Sequence, residues 1–313
     1  MKVLLPTSVP LDPTLPEGVQ GIAYDPEAEL PDEHTDAEVI VLWLNPASRM
    51  KELADRLPKL RLIQGLMAGT DSVVAAGFAP EAVIASGRGL HDLTVAEHTL
   101  ALALAAARRL DRALDAQRGG SWDSELGYRQ PLDNSQGLTT LRDARVTIWG
   151  FGSIAKTLAP YLTLLGAKIT GVASSAGERA GYPVIAAADV HSVLPDTDIL
   201  INILPAVPDT IKIIDAAVLQ ALPKTAWLIN VGRGATVDEG ALRTALIDGE
   251  IAGAALDVTA TEPLPDGDPL WSAPNLIITP HTAGGRPLGA DTLIEANVRA
   301  LLADDPIANL VTR

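Results

Sequence analysis

The chain of 313 residues contains no cysteine. That absence excludes disulfides, thiol nucleophiles and thiolate metal sites, and it fits a reducing cytoplasm. Aromatic residues are scarce, at 4% of the sequence. The 47% of hydrophobic residues therefore rests mainly on Ala, Val, Leu and Ile, side chains that fill helix–sheet interfaces in α/β folds. Long apolar runs are missing as well. The most apolar tract, residues 100–107, is flanked by Glu97-His98 and Arg108-Arg109 and falls far short of a bilayer span. At the start, Met1-Lys2-Val3-Leu4-Leu5 meets Pro6 before any extended apolar region, so no secretory leader is expected. Basic residues are outnumbered, 24 Lys and Arg against 39 Asp and Glu, for a formal charge of −15. Such a surface repels nucleic acid and anionic membrane, and neither is expected as a partner. His34, His91, His98 and His191 show no metal-ligand spacing, so no metal is expected. A Gly-x-Ser-x-Gly hydrolase elbow is also missing.

What the chain does contain is alternation. Short continuous apolar runs at residues 3–5, 21–24, 39–44, 60–64 and 82–85 read as strands buried on both faces, hence a small parallel sheet. Thr94-Val95-Ala96-Glu97 then reads as a capping box opening one long helix, which good helix formers carry to Arg118 before Gly119-Gly120. Its middle is apolar on every side, so burial all round is expected, between domains or at a subunit interface. His98 on that helix is assigned to the interface. Residues 119–144, with Trp122, Tyr128 and Pro131, read as a polar arm. Six further strands are expected at residues 146–149, 169–172, 199–204, 227–231, 254–258 and 276–279, which suits a doubly wound sheet. A helical tail at residues 293–302 is expected to return to the first domain.

One junction stands out. Val146-Thr147-Ile148-Trp149 runs into Gly150-Phe151-Gly152-Ser153-Ile154-Ala155 and then a helix-forming segment. Gly150 allows a tight turn, Gly152 lets backbone approach a pyrophosphate, and small Ala155 lets helix and strand pack closely. The helix N-terminus offers free N–H groups to the anion. The same Gly-x-Gly-x-x-Ala pattern also closes plain strand–helix joints, so it is the periodicity on both sides that favours a dinucleotide.

Three charged groups follow consecutive expected strands, at the edge where open α/β sheets bind ligands. Arg233 lies in Asn230-Val231-Gly232-Arg233-Gly234, Glu262 in Glu262-Pro263-Leu264 after Asp257, and His281 in Thr279-Pro280-His281-Thr282-Ala283-Gly284. A guanidinium for a carboxylate, an imidazole for a proton and a carboxylate to tune the imidazole form a catalytic set. Trp43 and Asn45, at the end of a first-domain strand, are weighed both as substrate contacts and as packing.

Together these stretches resemble the D-isomer-specific 2-hydroxyacid dehydrogenases over nearly the whole chain, most closely the glyoxylate/hydroxypyruvate-reductase branch. Gly65-Leu66-Met67-Ala68-Gly69-Thr70-Asp71, Gly87-Arg88-Gly89-Leu90-His91, Ala96-Glu97-His98-Thr99, Ile203-Leu204-Pro205 with Asp209-Thr210, and Ala255-Leu256-Asp257-Val258 carry the resemblance beside the motifs above. It implies two doubly wound parallel-sheet α/β domains around a cleft. A Rossmann-type dinucleotide domain, residues 92–285, is inserted into a flavodoxin-like substrate domain of residues 1–91 completed by 286–313. It implies reversible NAD(P)H-dependent reduction of a small 2-keto acid to a D-2-hydroxy acid, and a homodimer through the long helix and the arm.

Carried over by position, the resemblance assigns His281 as acid/base, Glu262 as its partner and Arg233 as the substrate guanidinium. Met67, Ala68 and Gly69 are to receive the carboxylate on backbone N–H groups. Cofactor contacts are expected from Gly150, Gly152, Ser153, Ile154, Leu204, Pro205, Thr210, Val231, Gly232, Arg233, Asp257, His281 and Gly284, with Asp257 holding the nicotinamide carboxamide. One departure matters. Ala173 stands near the place where NAD-preferring members carry an Asp for the ribose hydroxyls, followed by Ser174, Ser175, Glu178 and Arg179. Losing that carboxylate removes repulsion against a 2′-phosphate, so NADP is favoured over NAD, with Ser174, Ser175 and Arg179 as its contacts. Two rival readings are a dinucleotide-sensing binding protein on the same fold, which has no use for the Arg–Glu–His set, and a 3-phosphoglycerate dehydrogenase.

Overall fold

The computed structural model describes residues 1–128, 131 and 133–312. The chain divides into two compact units, residues 1–91 with 286–313, and residues 92–285.

In the first unit, strands β1 (Lys2–Pro6), β2 (Gln20–Tyr24), β3 (Val39–Leu42), β4 (Leu62–Gly65) and β5 (Val83–Ala85) form one parallel sheet in the order β2-β1-β3-β4-β5. Every residue of β3 and β4 is buried, because helices cover both faces of the sheet. Ile40, Leu42 and Ile63 pack with Met50, Leu53 and Val73 from the helices Ala47–Arg56 and Asp71–Ala75. The alternate residues Val39, Val41 and Leu62 pack with Ala290, Ile294 and Val298 of the helix Ala290–Ala303. The tail thus completes the first unit, and Asn297 donates to the buried Gln64 at 2.6 Å.

The second unit holds β6 (Arg145–Trp149), β7 (Lys168–Ala173), β8 (Gly177–Arg179), β9 (Tyr182–Ala186), β10 (Ile199–Asn202), β11 (Trp227–Asn230), β12 (Gly253–Leu256) and β13 (Leu276–Ile278). Their order is β13-β12-β11-β10-β6-β7-β9-β8, and all pairs are parallel except β8 with β9. The helices Asp92–Ala107 and Ser153–Leu164 pack on one face, and Ala216–Ala221 and Glu239–Ile247 on the other. The β8–β9 hairpin adds two strands to the six expected. Gly177-Glu178-Arg179 has no apolar residue and β9 carries Pro183, so neither strand announces itself by pattern.

The single long helix expected from Thr94 to Arg118 is two helices. The first begins at Asp92, placing Thr94 inside it rather than at a cap, and ends at Ala107; the second runs Leu110–Arg118. Arg109 breaks them in a left-handed conformation, φ 49°. Its guanidinium lies over the Trp227 ring, 5.6 Å from the centroid, and donates to Asp111 and to Asn275. Those contacts offset the cost of a left-handed arginine. Nor is the first helix buried all round in the single chain. Leu102, Ala103, Ala106 and Ala107 are buried, whereas Leu93 and Leu104 are 48% and 37% exposed. In the arm, a short helix Ser124–Tyr128 follows an exposed Trp122, and residues 129, 130 and 132 lie outside the described residues. Among the described residues, no helix is long and apolar enough to cross a membrane.

Candidate active site

The glycine turn after β6 has the features an anion cradle needs. Gly150 sits at φ 102°, and a Cβ there would stand 2.8 Å from the Ile203 carbonyl oxygen. Gly152 caps the helix Ser153–Leu164, and a Cβ on it would meet no protein atom within 4 Å. Protein packing therefore does not require that glycine, and the open space above it fits a phosphate group. Ala155 is fully buried against the sheet. Ser153 and Ile154 open the helix, and the Ser153 hydroxyl donates to Asp92 at 3.0 Å.

The neighbouring strand ends are tied by a buried amide network. The Asn202 side-chain amide donates to Asn230 at 2.9 Å and to the Thr236 hydroxyl at 2.6 Å, and its side-chain Oδ1 accepts from Leu204 N–H. Asn230 accepts from Gly232 N–H and donates to the Arg233 carbonyl, which also accepts from the Thr236 hydroxyl. Gly232 is pressed on Leu204, where a Cβ would come within 2.6 Å of the Leu204 carbonyl oxygen. The loops 203–205 and 231–234 are thus one rigid rim, which brings Leu204, Val231, Gly232 and Arg233 together. Thr210 closes the adjoining loop by donating to the Pro205 carbonyl at 2.5 Å.

Arg233, Glu262 and His281 stand in the loops after β11, β12 and β13. His281 Nδ1 lies 2.6 Å from Glu262 Oε2. The Nδ1–H donates to that carboxylate, which leaves Nε2 as the ring atom able to exchange a proton. His281 is held at φ 51° by its backbone N–H, which donates to the carbonyls of Asp257 (2.8 Å) and Thr279 (3.0 Å). Both partners are accessible, with side chains 49% and 37% exposed. Arg233 donates to its neighbour's carbonyl, Gly232, at 2.8 Å.

Asp257 is almost completely buried. Its Oδ1 accepts from the Thr279 hydroxyl at 2.6 Å and Thr282 N–H at 3.0 Å, and its Oδ2 from Ala283 N–H at 3.0 Å. His98 Nε2 faces the same carboxylate at 3.3 Å and the Thr279 hydroxyl at 3.0 Å. Burial alone would raise the carboxyl, but His98, Thr279 and the two amides outweigh it and hold Asp257 at about 2. Asp257 is therefore a fixed anion that shapes the His281 loop, within which Gly284 also lies. Within the chain, His98, which the sequence assigns to an interface, joins the first helix of this unit to Asp257. Its signal was the Ala96-Glu97-His98-Thr99 stretch itself, which gives no hint of a partner some 160 residues away.

Beyond β7, Ser174 and Ser175 are exposed at the start of the β8–β9 hairpin. Arg179, on strand β8 rather than in a turn, donates to the Ser175 hydroxyl at 3.0 Å and the Phe151 carbonyl at 3.3 Å. It thus bridges Ser175 and the glycine turn. Glu178 is exposed and opposite Pro183.

In the first unit, the loop of Met67, Ala68 and Gly69 follows β4. Gly87 N–H donates to the Met67 carbonyl at 2.7 Å, and His91 Nε2 donates to the Leu66 carbonyl at 2.8 Å. A Cβ on Gly87 would fall 2.0 Å from the Leu66 carbonyl oxygen, so only glycine allows this contact. Trp43 is buried and stacked on His91, ring centroids 5.5 Å apart, and Asn45 bonds the Tyr24 hydroxyl, so both serve packing within this unit.

The family described as "D-isomer specific 2-hydroxyacid dehydrogenase, NAD binding domain" matches residues 100–283. A glycerate dehydrogenase from Methylorubrum extorquens is 32% identical over 276 residues, covering 85% of this chain and 83% of that protein. A glyoxylate/hydroxypyruvate reductase A from Serratia proteamaculans is 31% identical over 290 residues, 90% of this chain and 88% of that one. Among solved structures, a D-isomer specific 2-hydroxyacid dehydrogenase from Xanthobacter autotrophicus in complex with NADPH and MES superimposes with a TM-score of 0.82 at 28% identity, covering 99% of this chain and 97% of that chain. The chain belongs to the D-isomer specific 2-hydroxyacid dehydrogenases, oxidoreductases that use NAD(P) to interconvert small 2-keto acids and D-2-hydroxy acids.

Proposed function

We propose that this enzyme reduces a small 2-keto acid of the glyoxylate or hydroxypyruvate kind, with NADPH as the preferred reductant. The observation that carries the reading is the 2.6 Å Glu262–His281 pair at the same sheet edge as Arg233. The names of the two relatives point to the substrate class, and the NADPH bound by the structural neighbour points to the cofactor.

The reduced nicotinamide, when bound, supplies the hydride for the keto carbon. His281 Nε2 delivers the proton to the carbonyl oxygen, and Glu262 stabilises the imidazolium that carries it. The Arg233 guanidinium binds the substrate carboxylate and polarises the carbonyl as negative charge develops on its oxygen. The product is a 2-hydroxy acid, and the imidazole recovers its proton from solvent. In the first unit, the backbone of Met67, Ala68 and Gly69 is assigned to carboxylate binding, because Gly87 and His91 hold this loop rigidly from below. Asp257 is assigned to the nicotinamide carboxamide through the lone pair left on Oδ2.

The 2′-phosphate is assigned to Ser174, Ser175 and Arg179, with Ala173 offering no opposing charge. A homodimer is part of the proposal; the exposed Leu93, Leu104, Leu110 and Leu114 and the arm with Trp122 supply an apolar surface for it. A cytoplasmic location completes it, since the acidic, cysteine-free chain suits that compartment. Steady-state reduction of glyoxylate, hydroxypyruvate and pyruvate with NADPH and with NADH tests the reading. Turnover of the first two with NADPH supports it; turnover of none of the three with either cofactor refutes it.

A further inference from the structure

A strip of backbone, Thr259 and Ala260, lies between the groups that do the chemistry. On one side it meets the turn that carries Arg233. A Cβ on Gly234 would stand 1.9 Å from the Thr259 carbonyl carbon and 2.4 Å from Ala260 N, so only glycine permits this contact. On the other side the strip leads directly to Glu262. Its two amides are each taken by a carboxylate: Thr259 N–H donates to Glu262 Oε1 at 3.0 Å, and Ala260 N–H donates to Glu239 Oε1 at 2.7 Å. Glu262 therefore spends one oxygen on its own loop and the other on His281, and its aim depends on where the loop is held.

Glu239 is the first residue of the helix Glu239–Ile247, which is capped by the Asp238 side chain. An acid in a first helical turn ordinarily points to water. Here it is half-buried and reaches across to Ala260 instead. We infer that Glu239 is a positioning residue for the reaction proposed above, on which this inference rests: it anchors the Ala260 amide so that Glu262 stays aligned with His281, and it places a second negative charge behind that pair. The groups that face it are Glu262, Asp268 and Asp238, the last paired with Lys212 at 3.2 Å. Burial chiefly, and then these acids, push the Glu239 carboxyl up, against the opposing Ala260 hydrogen bond.

The test compares Glu239→Ala with Glu239→Gln in the full-length enzyme. Glu239→Ala loses the anchor, so kcat should fall roughly tenfold while NADPH affinity stays within about twofold, and the Ala260 amide should exchange with deuterium roughly tenfold faster. Glu239→Gln keeps an acceptor for Ala260, so it should restore kcat and amide protection. Because it removes a charge behind Glu262, the basic limb of its reduction pH profile should move to lower pH, which mere loop packing would not cause. Full kcat with unchanged exchange in Glu239→Ala, or a Glu239→Gln profile that coincides with wild type, overturns the inference. If the wild-type enzyme turns over no 2-keto acid, the functional reading fails, and unchanged exchange in Glu239→Ala would still sink the anchor by itself.

Discussion

Arg179 and Ser175 are joined by a 3.0 Å hydrogen bond, and the same guanidinium reaches the Phe151 carbonyl of the glycine turn. A phosphate arriving beside Ser175 would therefore meet a cation already in place, with no acid at Ala173 to oppose it. We predict that NADPH gives the higher kcat/KM and that Ala173→Asp reverses the preference by setting a fixed anion against the 2′-phosphate. A change of roughly tenfold or more in the ratio corresponds to at least about 1.4 kcal/mol. Steady-state rates with both reduced cofactors measure it. A wild-type preference for NADH would mean that Glu178 or another acid holds the ribose.

Removing the imidazole should affect chemistry more than binding. His281→Ala is expected to lower kcat by roughly 10²–10⁴ with NADPH affinity near wild type. Glu262→Gln should be milder and should move the basic limb of the reduction profile to lower pH, because the imidazolium loses a carboxylate 2.6 Å away. A pH–rate series on both variants checks this; an unchanged Glu262→Gln profile would contradict the pairing.

Arg233→Lys retains a charge but loses the planar fork that holds carboxylate and carbonyl together. The keto-acid KM should rise and kcat should fall in the same variant. A change confined to NADPH binding would move Arg233 out of the substrate site.

Asp257 makes stability depend on pH. Its folded-state carboxyl is held at about 2, below the ordinary aspartate value of 3.8, so the stabilising contribution is present above the ordinary carboxylate range and disappears as pH falls toward 2. The size is about 2 kcal/mol. Chemical denaturation between about pH 4 and pH 2 should show that loss in wild type and a flatter dependence in Asp257→Asn. Equal slopes would show that the carboxylate is not fixed as described.

Strands buried on both faces were legible because they read as unbroken apolar runs: β3 and β4 in the first unit and β10 and β11 in the second are buried at every position. The glycine turn was legible for a different reason: the positive φ and tight clearance at Gly150 select the residue type directly. Three things were hidden. The helix break at Arg109 arises from Trp227 and Asn275, far away in sequence, and no local propensity encodes it. The β8–β9 hairpin has too few apolar residues to show a period. The His98–Asp257 contact, like the Glu239–Ala260 bond, joins groups separated in the chain and depends on tertiary placement alone. Charged residues at strand ends, with Glu262 as the partner of His281, could be read off the sequence; which donors face Asp257 and Glu239 could not.

The most direct test of the account is the chirality of the product that the wild-type enzyme forms from hydroxypyruvate and NADPH. Hydride addition to one face of a carbonyl that Arg233 holds and His281 protonates should yield D-glycerate alone, with one NADPH consumed per product. L-glycerate, a racemate, or NADPH loss without glycerate would contradict it.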